Sequence, residues 1–266
     1  MSYNEKLKSL IVAKQSHLCI GLDVDETKLP QSVLSSDEPI LSFNQQIINS
    51  TEDIAVVYKL NLAFYEALGE KGYGILRDTL SMIPSDVITI ADAKKGDIGN
   101  SSSIYAKVVF EDLGFDAVTV NPYMGFDSIE PFCKNPEKGV FILVLTSNEG
   151  SSDFQQIESA NGIPFFLEIA QRISEWNKND NIGMVLGATH LEELERAVNA
   201  APNLSVLIPG VGKQGGDGRK VKDIFQDNKR GPFIVNSSRG VIYASSGEDF
   251  ASEARIAAKE LRDELN

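Results

Sequence analysis

Histidine and cysteine are nearly missing from this chain, with two of each among 266 residues. A Ser-His-Asp triad and a zinc centre, both of which draw on imidazole or thiolate, are therefore not expected, and no metal ligand is assigned. Cys19 and Cys133 make no disulfide framework, which fits a reducing compartment, and Cys19 lies in an apolar run that reads as core. Basic residues are also short: 25 Lys and Arg stand against 38 Asp and Glu, for a formal charge of -13. Nucleic acid and anionic membrane surfaces both need a basic footprint, so neither is expected as a partner. No stretch approaches the ~20 apolar residues of a membrane helix. Met1 to Lys6 lacks the apolar core of a signal peptide. The expectation is a soluble, cytoplasmic protein.

What is present is a regular alternation. Short apolar runs near 17–24, 55–61, 87–94, 117–122, 139–147, 182–189, 205–210 and 233–238 read as strands. Between them lie amphipathic stretches, among them Pro39 to Asp53, Ile98 to Leu113, Pro164 to Asn177, His190 to Ala200 and Gly247 to Leu265. Strands alternating with helices indicate parallel pairing through crossovers. Eight such units in 266 residues predict a (β/α)8 barrel, one catalytic domain spanning 1–266. An open doubly wound sheet is disfavoured because no Gly-x-Gly-x-x-Gly follows the first strand.

Polar residues gather at the predicted strand ends: Asp23, Lys59 with Asn61, Asp92 with Lys94, Asn121, Thr146 with Ser147, Pro209, and Ser238 with Arg239. In a barrel these ends share one mouth, where barrel enzymes build their sites. His17 begins the first strand and His190 opens a helix, and both are expected away from that mouth. Asp25, Asn121 and Asn148 also have the simpler reading of turn formers. In the run Val87 to Asp97, strand alternation puts Ile88, Ile90, Asp92 and Lys94 on one face, with Asp97 just beyond. Buried charges are costly unless paired. Lys59, on the neighbouring strand, can stand beside Asp92 and Lys94, with Asp23 flanking. At an effective dielectric of about 20, opposite charges ~4 Å apart attract by about 4 kcal/mol, enough to keep such an array ionised. It can stabilise a carbanion and deliver a proton with no metal and no cofactor. Two features concern phosphate: the glycine-rich Pro209 to Asp217, and Arg239 after the last strand.

Taken in order, Lys59, Asp92-x-Lys94-x-x-Asp97, Pro209-Gly210-Val211-Gly212-x-Gln214-Gly215-Gly216-Asp217 and Arg239 resemble the orotidine 5′-phosphate decarboxylase family. The similarity runs from about Leu18 to Tyr243, and Asp92-Ala93-Lys94-Lys95-Gly96-Asp97-Ile98-Gly99-Asn100-Ser101 is similar to its longer-chain, bacterial-type branch. The resemblance implies a homodimeric barrel that converts orotidine 5′-monophosphate to uridine 5′-monophosphate and carbon dioxide in pyrimidine biosynthesis. It implies that Lys94 protonates C6, that Asp92 crowds the substrate carboxylate, and that Lys59 holds Asp92 and a ribose hydroxyl. It implies further that Asp97 enters the partner's site, that Asp23 accepts from the ribose, and that Gln214, Gly215 and Arg239 grip the phosphate, with Asn61, Pro209 and Ser238 also expected to bind substrate. The pyrimidine reader is Thr146 or Ser147, which alternation sends to opposite faces. The long segment 149–162 reads as a lid or an insertion. Three alternatives remain. One is a magnesium-dependent sugar-phosphate lyase of the 3-keto-gulonate 6-phosphate decarboxylase or hexulose-phosphate synthase type, which Lys59 opposes because those relatives carry an acid there. The others are a Schiff-base aldolase, which flanking aspartates oppose, and a non-catalytic nucleotide-binding barrel.

Overall fold

The computed structural model describes residues 1–211, 216–226 and 230–266. Eight parallel strands close on themselves in sequence order: β1 (Leu18–Gly21), β2 (Val57–Asn61), β3 (Ile88–Lys95), β4 (Ala117–Val120), β5 (Gly139–Leu145), β6 (Ile182–Leu186), β7 (Ser205–Pro209) and β8 (Phe233–Ser237). Closure is made by β1 on β8, with Leu18 beside Val235 and Cys19 beside Asn236. The expected (β/α)8 barrel is what these residues build.

Strand alternation divides the apolar residues into two layers. Cys19, Val57, Ile88, Ile90, Ala117, Phe141, Val185, Leu207 and Ile234 fill the barrel. Their neighbours Leu18, Ile20, Tyr58, Ala91, Val118, Ile142, Met184, Val206 and Val235 pack outward under the helices. Because both faces are buried, the strands read as unbroken apolar runs, which is why sequence alone located them.

The helices were less visible. Pro39–Thr51, Phe165–Trp176, Leu191–Ala200 and Phe250–Leu265 fall close to expectation, but the stretch from Ile98 is helical only over Gly99–Lys107 and then widens into a π-helical turn at Val108–Asp112. Gly72–Met82, Phe126–Cys133 and Gly218–Ile224 are further helices. The N-terminal helix Tyr3–Lys14 closes the bottom of the barrel, placing Tyr3, Leu7 and Ile11 among the interior residues. Its start is fixed by a capping box in which the Glu5 N–H donates to Ser2 Oγ and the Ser2 N–H donates to Glu5 Oε2. Tyr3 meets Phe141 edge-on at 5.9 Å. It fits only because residue 139 is glycine: a Cβ there would lie 2.5 Å from the Tyr3 ring.

Candidate active site

Two residues beyond the interior apolar layer, the same inward face of several strands turns polar. Val57 is followed by Lys59, Ile90 by Asp92, Ala117 by Thr119, and Ile234 by Asn236, and all four polar residues line one cavity of about 460 Å³ at the C-terminal mouth. The barrel layering thus places a charged layer on an apolar floor.

Its centre is Asp92. Lys59 Nζ donates to Oδ2 at 2.9 Å, while Lys94 Nζ at 2.6 Å and Thr119 Oγ1 at 2.9 Å both donate to Oδ1. Burial alone would raise the Asp92 carboxyl, yet the Lys59 and Lys94 ammoniums override it and hold Asp92 well below the usual carboxylate range. The Lys59 ammonium is opposed by its own burial, but Asp23 and Asp92 more than compensate and raise its pKa. Asp23 stands 3.8 Å from Lys59 Nζ, and its two oxygens accept from the Asn61 N–H and from Ser238 Oγ. Lys59 is 4% exposed, whereas the Lys94 side chain is 49% exposed and reaches into the cavity. One ammonium is therefore structural in its burial and the other is available to a ligand. Lys94 shares its face with Asp92 as expected, but not by simple alternation. The β3–β4 register slips between Ala91 and Lys95, and Lys94 has φ 46°, in the left-handed region.

Across the mouth the same cavity is lined by Pro209, Gly210, Ser237, Ser238 and Arg239, so the ends of β7 and β8 face the charged centre. Gly210 has φ 97°, a conformation that suits glycine.

A model of the "Orotidine 5'-phosphate decarboxylase / HUMPS family" matches residues 16–254. The chain belongs to this family. It is 44% identical to an orotidine 5′-phosphate decarboxylase from Dehalococcoides mccartyi, over 100% of this chain and 98% of that one. It is also 44% identical to one from Flavobacterium johnsoniae, over 98% of this chain and 96% of that one. Among solved structures, the Leishmania donovani OMP decarboxylase superposes with a TM-score of 0.85 at 34% identity, over 100% of this chain and 98% of that one.

Against this family frame, Asp23, Lys59, Asp92, Lys94, Thr146, Ser147, Pro209, Ser238 and Arg239 all line the cavity. Asn61 and Asp97 do not. Asn61 caps the turn Leu62–Glu66 by accepting from the Ala63 N–H, and only its backbone serves the site, through Asp23. Asp97, half-buried, accepts from the Ile98 N–H ahead of the helix Gly99–Lys107. Gln214 and Gly215 lie outside the described residues. His17 is at the foot of β1 as expected, but His190 precedes Leu191 after β6 and so starts its helix on the mouth side, although it does not line the cavity. Asp25 caps the turn Glu26–Lys28 and pairs with Lys28 at 2.8 Å, which holds its carboxyl down at about 2.

Thr146 and Ser147 are not sent to opposite faces. The register slips after Leu143 and β5 ends at Leu145, so alternation no longer applies and both line the cavity. Thr146 is committed to its neighbours: its N–H donates to Gln155 Oε1 at 2.8 Å, Gln155 Nε2 donates to Oγ1 at 2.9 Å, and Oγ1 donates to Asn148 Oδ1 at 2.6 Å. The segment 149–162 is folded rather than loose, with a 3-10 turn at Glu149–Asp153 and a bridge from Glu158 to Pro164, and Gln155 pins it to the end of β5. Gln155 and Thr119 escaped the sequence reading. For Thr119 a signal existed: it stands two residues from the inward Ala117, a polar residue on an otherwise apolar face.

Proposed function

We propose that this cavity decarboxylates orotidine 5′-monophosphate to uridine 5′-monophosphate and carbon dioxide, with Lys94 as proton donor. The observation that carries the reading is the hydrogen-bonded chain Lys59–Asp92–Lys94 on one wall of a cavity whose other rim holds Arg239. With the phosphate at the β7 and β8 ends, the pyrimidine lies toward β3 and C6 meets the ammonium. The bond from C6 to the carboxylate breaks, its electron pair stays on C6, and Lys94 Nζ gives that carbon a proton as carbon dioxide leaves. Solvent then reprotonates the Lys94 amine. The half-exposed Lys94 suits this role, while buried Lys59 keeps Asp92 ionised and in place. Electrostatic groups fixed before reaction cost no reorganisation during it. Asp92 would border the substrate carboxylate and Asp23 would accept from the ribose. The phosphate grip would supply binding energy used in the transition state.

Ser147 is the better pyrimidine reader of the two candidates, because the Thr146 hydroxyl is already engaged by Asn148 and Gln155. We also propose a homodimer in which Asp97 serves the partner's cavity. Ile98, Ile104, Tyr123 and Met124 are exposed; Ile98 adjoins Asp97 in the chain, and Met124 Cε approaches Gly96. Exposed apolar clusters of this kind mark interaction surfaces.

Loss of orotidine monophosphate absorbance in excess chelator tests the reaction. Turnover is expected to persist; a chelator-sensitive activity, or activity only toward a keto-sugar phosphate, would assign the cavity to the magnesium-dependent lyases instead.

A further inference from the structure

Thr119 is 2% exposed, faces inward from β4 and lines the cavity. Its hydroxyl makes two bonds that together fix its proton: it donates to Asp92 Oδ1 at 2.9 Å and accepts from the Lys94 N–H at 3.0 Å. The second bond leaves the parallel ladder: alternate residues of β3 address β2 and β4 in turn, and the series to which Lys94 belongs faces β2, which ends at Asn61. Pairing jumps from Ala91 with Val118 to Lys95 with Val120, so β3 spends two more residues than β4 over the same span. Within that bulge, where β2 has ended, the Thr119 hydroxyl on β4 serves as the partner of the Lys94 N–H. Lys94 is held there with φ 46°, a region that non-glycine residues occupy only when their surroundings impose it. From that backbone its ammonium turns back to Asp92 Oδ1 at 2.6 Å rather than following the strand direction.

We propose that Thr119 is a positioning residue for the proton donor: one hydroxyl clamps the Lys94 backbone and the Asp92 carboxylate in a single geometry. The inference rests on the decarboxylase reading for its kinetic consequence, but not for its structural one. Thr119→Val keeps the shape and removes both bonds. It is expected to lower kcat by about a hundredfold, the scale of a misplacement of ~1 Å in a reacting group. KM should stay close to wild type, because the phosphate rim lies on other strands. Thr119→Ser, which retains the hydroxyl, should restore most of kcat. In crystals of Thr119→Val, residue 94 should leave the left-handed region and its Nζ should stand beyond ~3.5 Å from Asp92. If valine is tolerated poorly in thermal unfolding, Thr119→Ala against Thr119→Ser makes the same comparison. A Thr119→Val enzyme with wild-type kcat, a serine variant as impaired as valine, or an unmoved Lys94 would each overturn the proposal. Wild-type turnover measured alongside bears only on the reaction, and the position of Lys94 in crystals bears only on Thr119.

Discussion

At the scale of single residues, the two lysines on Asp92 differ in what their loss should do. Lys59 is buried, and its removal leaves Asp92 facing an apolar floor with, among the described residues, the half-exposed Lys94 and a hydroxyl for partners. Breaking a buried pair from one side typically costs about 3–5 kcal/mol, whereas an exposed pair contributes about 0–1 kcal/mol. Lys59→Met should therefore lower the denaturant midpoint strongly and Lys94→Ala only slightly; equal losses for the two would contradict this account of the array. The carboxylates and lysines were legible in the sequence because charges at the end of an apolar strand demand a partner. Thr119 left one trace, its spacing two residues from the inward Ala117, but threonine is an ordinary strand residue and its partner Asp92 is distant in sequence; Gln155, nine residues from Thr146, left none. The choice between Thr146 and Ser147 needed the end of β5, which the apolar run overstated by two residues.

At the scale of elements, strands buried on both faces announced themselves, while helices with short or interrupted apolar stripes did not. Tyr3–Lys14 is the clearest case: it carries a Ser2–Glu5 capping box, but only Tyr3, Leu7 and Ile11 among its apolar residues are buried, too sparse a stripe to announce a helix. The β3 bulge was also hidden, since period-two alternation assumes a regular strand. At the foot of β1, His17 stacks on Phe233 at 3.9 Å, and its Nδ1 lies 2.9 Å from the Phe233 carbonyl. Burial lowers its pKa, the Phe233 carbonyl opposes this, and Lys222 adds to the lowering. The folded chain thus binds this proton less readily than the unfolded one. Its contribution to stability is full above the unfolded value of about 6.5 and is lost as pH falls through the lowered folded value. Unfolding free energy should decline below about pH 6.5 more steeply for the wild type than for His17→Phe. Parallel pH profiles would show that His17 does not titrate differently on folding.

At the scale of the whole molecule, a chain with a net charge of -13 is expected to act on an anion. It does so, in this reading, by concentrating Lys59, Lys94 and Arg239 at one mouth of the barrel. The eightfold count and the closed topology followed from the alternation of apolar runs, but the exposed apolar surface proposed to pair two copies did not, because exposed apolar side chains have no period. If Asp97 serves the partner's cavity, mixing inactive Lys94→Ala and Asp97→Ala chains should regenerate partial activity, since half of the mixed dimer's cavities would be intact. A mixture that stays as inactive as its parents would place Asp97 outside the site or within its own chain's. The central claim is that the Lys94 ammonium supplies the proton to C6, and it is tested most directly by turnover of orotidine 5′-monophosphate by Lys94→Ala in excess chelator, with uridine monophosphate binding confirmed. The account predicts a loss of about a thousandfold or more in kcat with the fold intact; a Lys94→Ala enzyme that decarboxylates at close to the wild-type rate would contradict it.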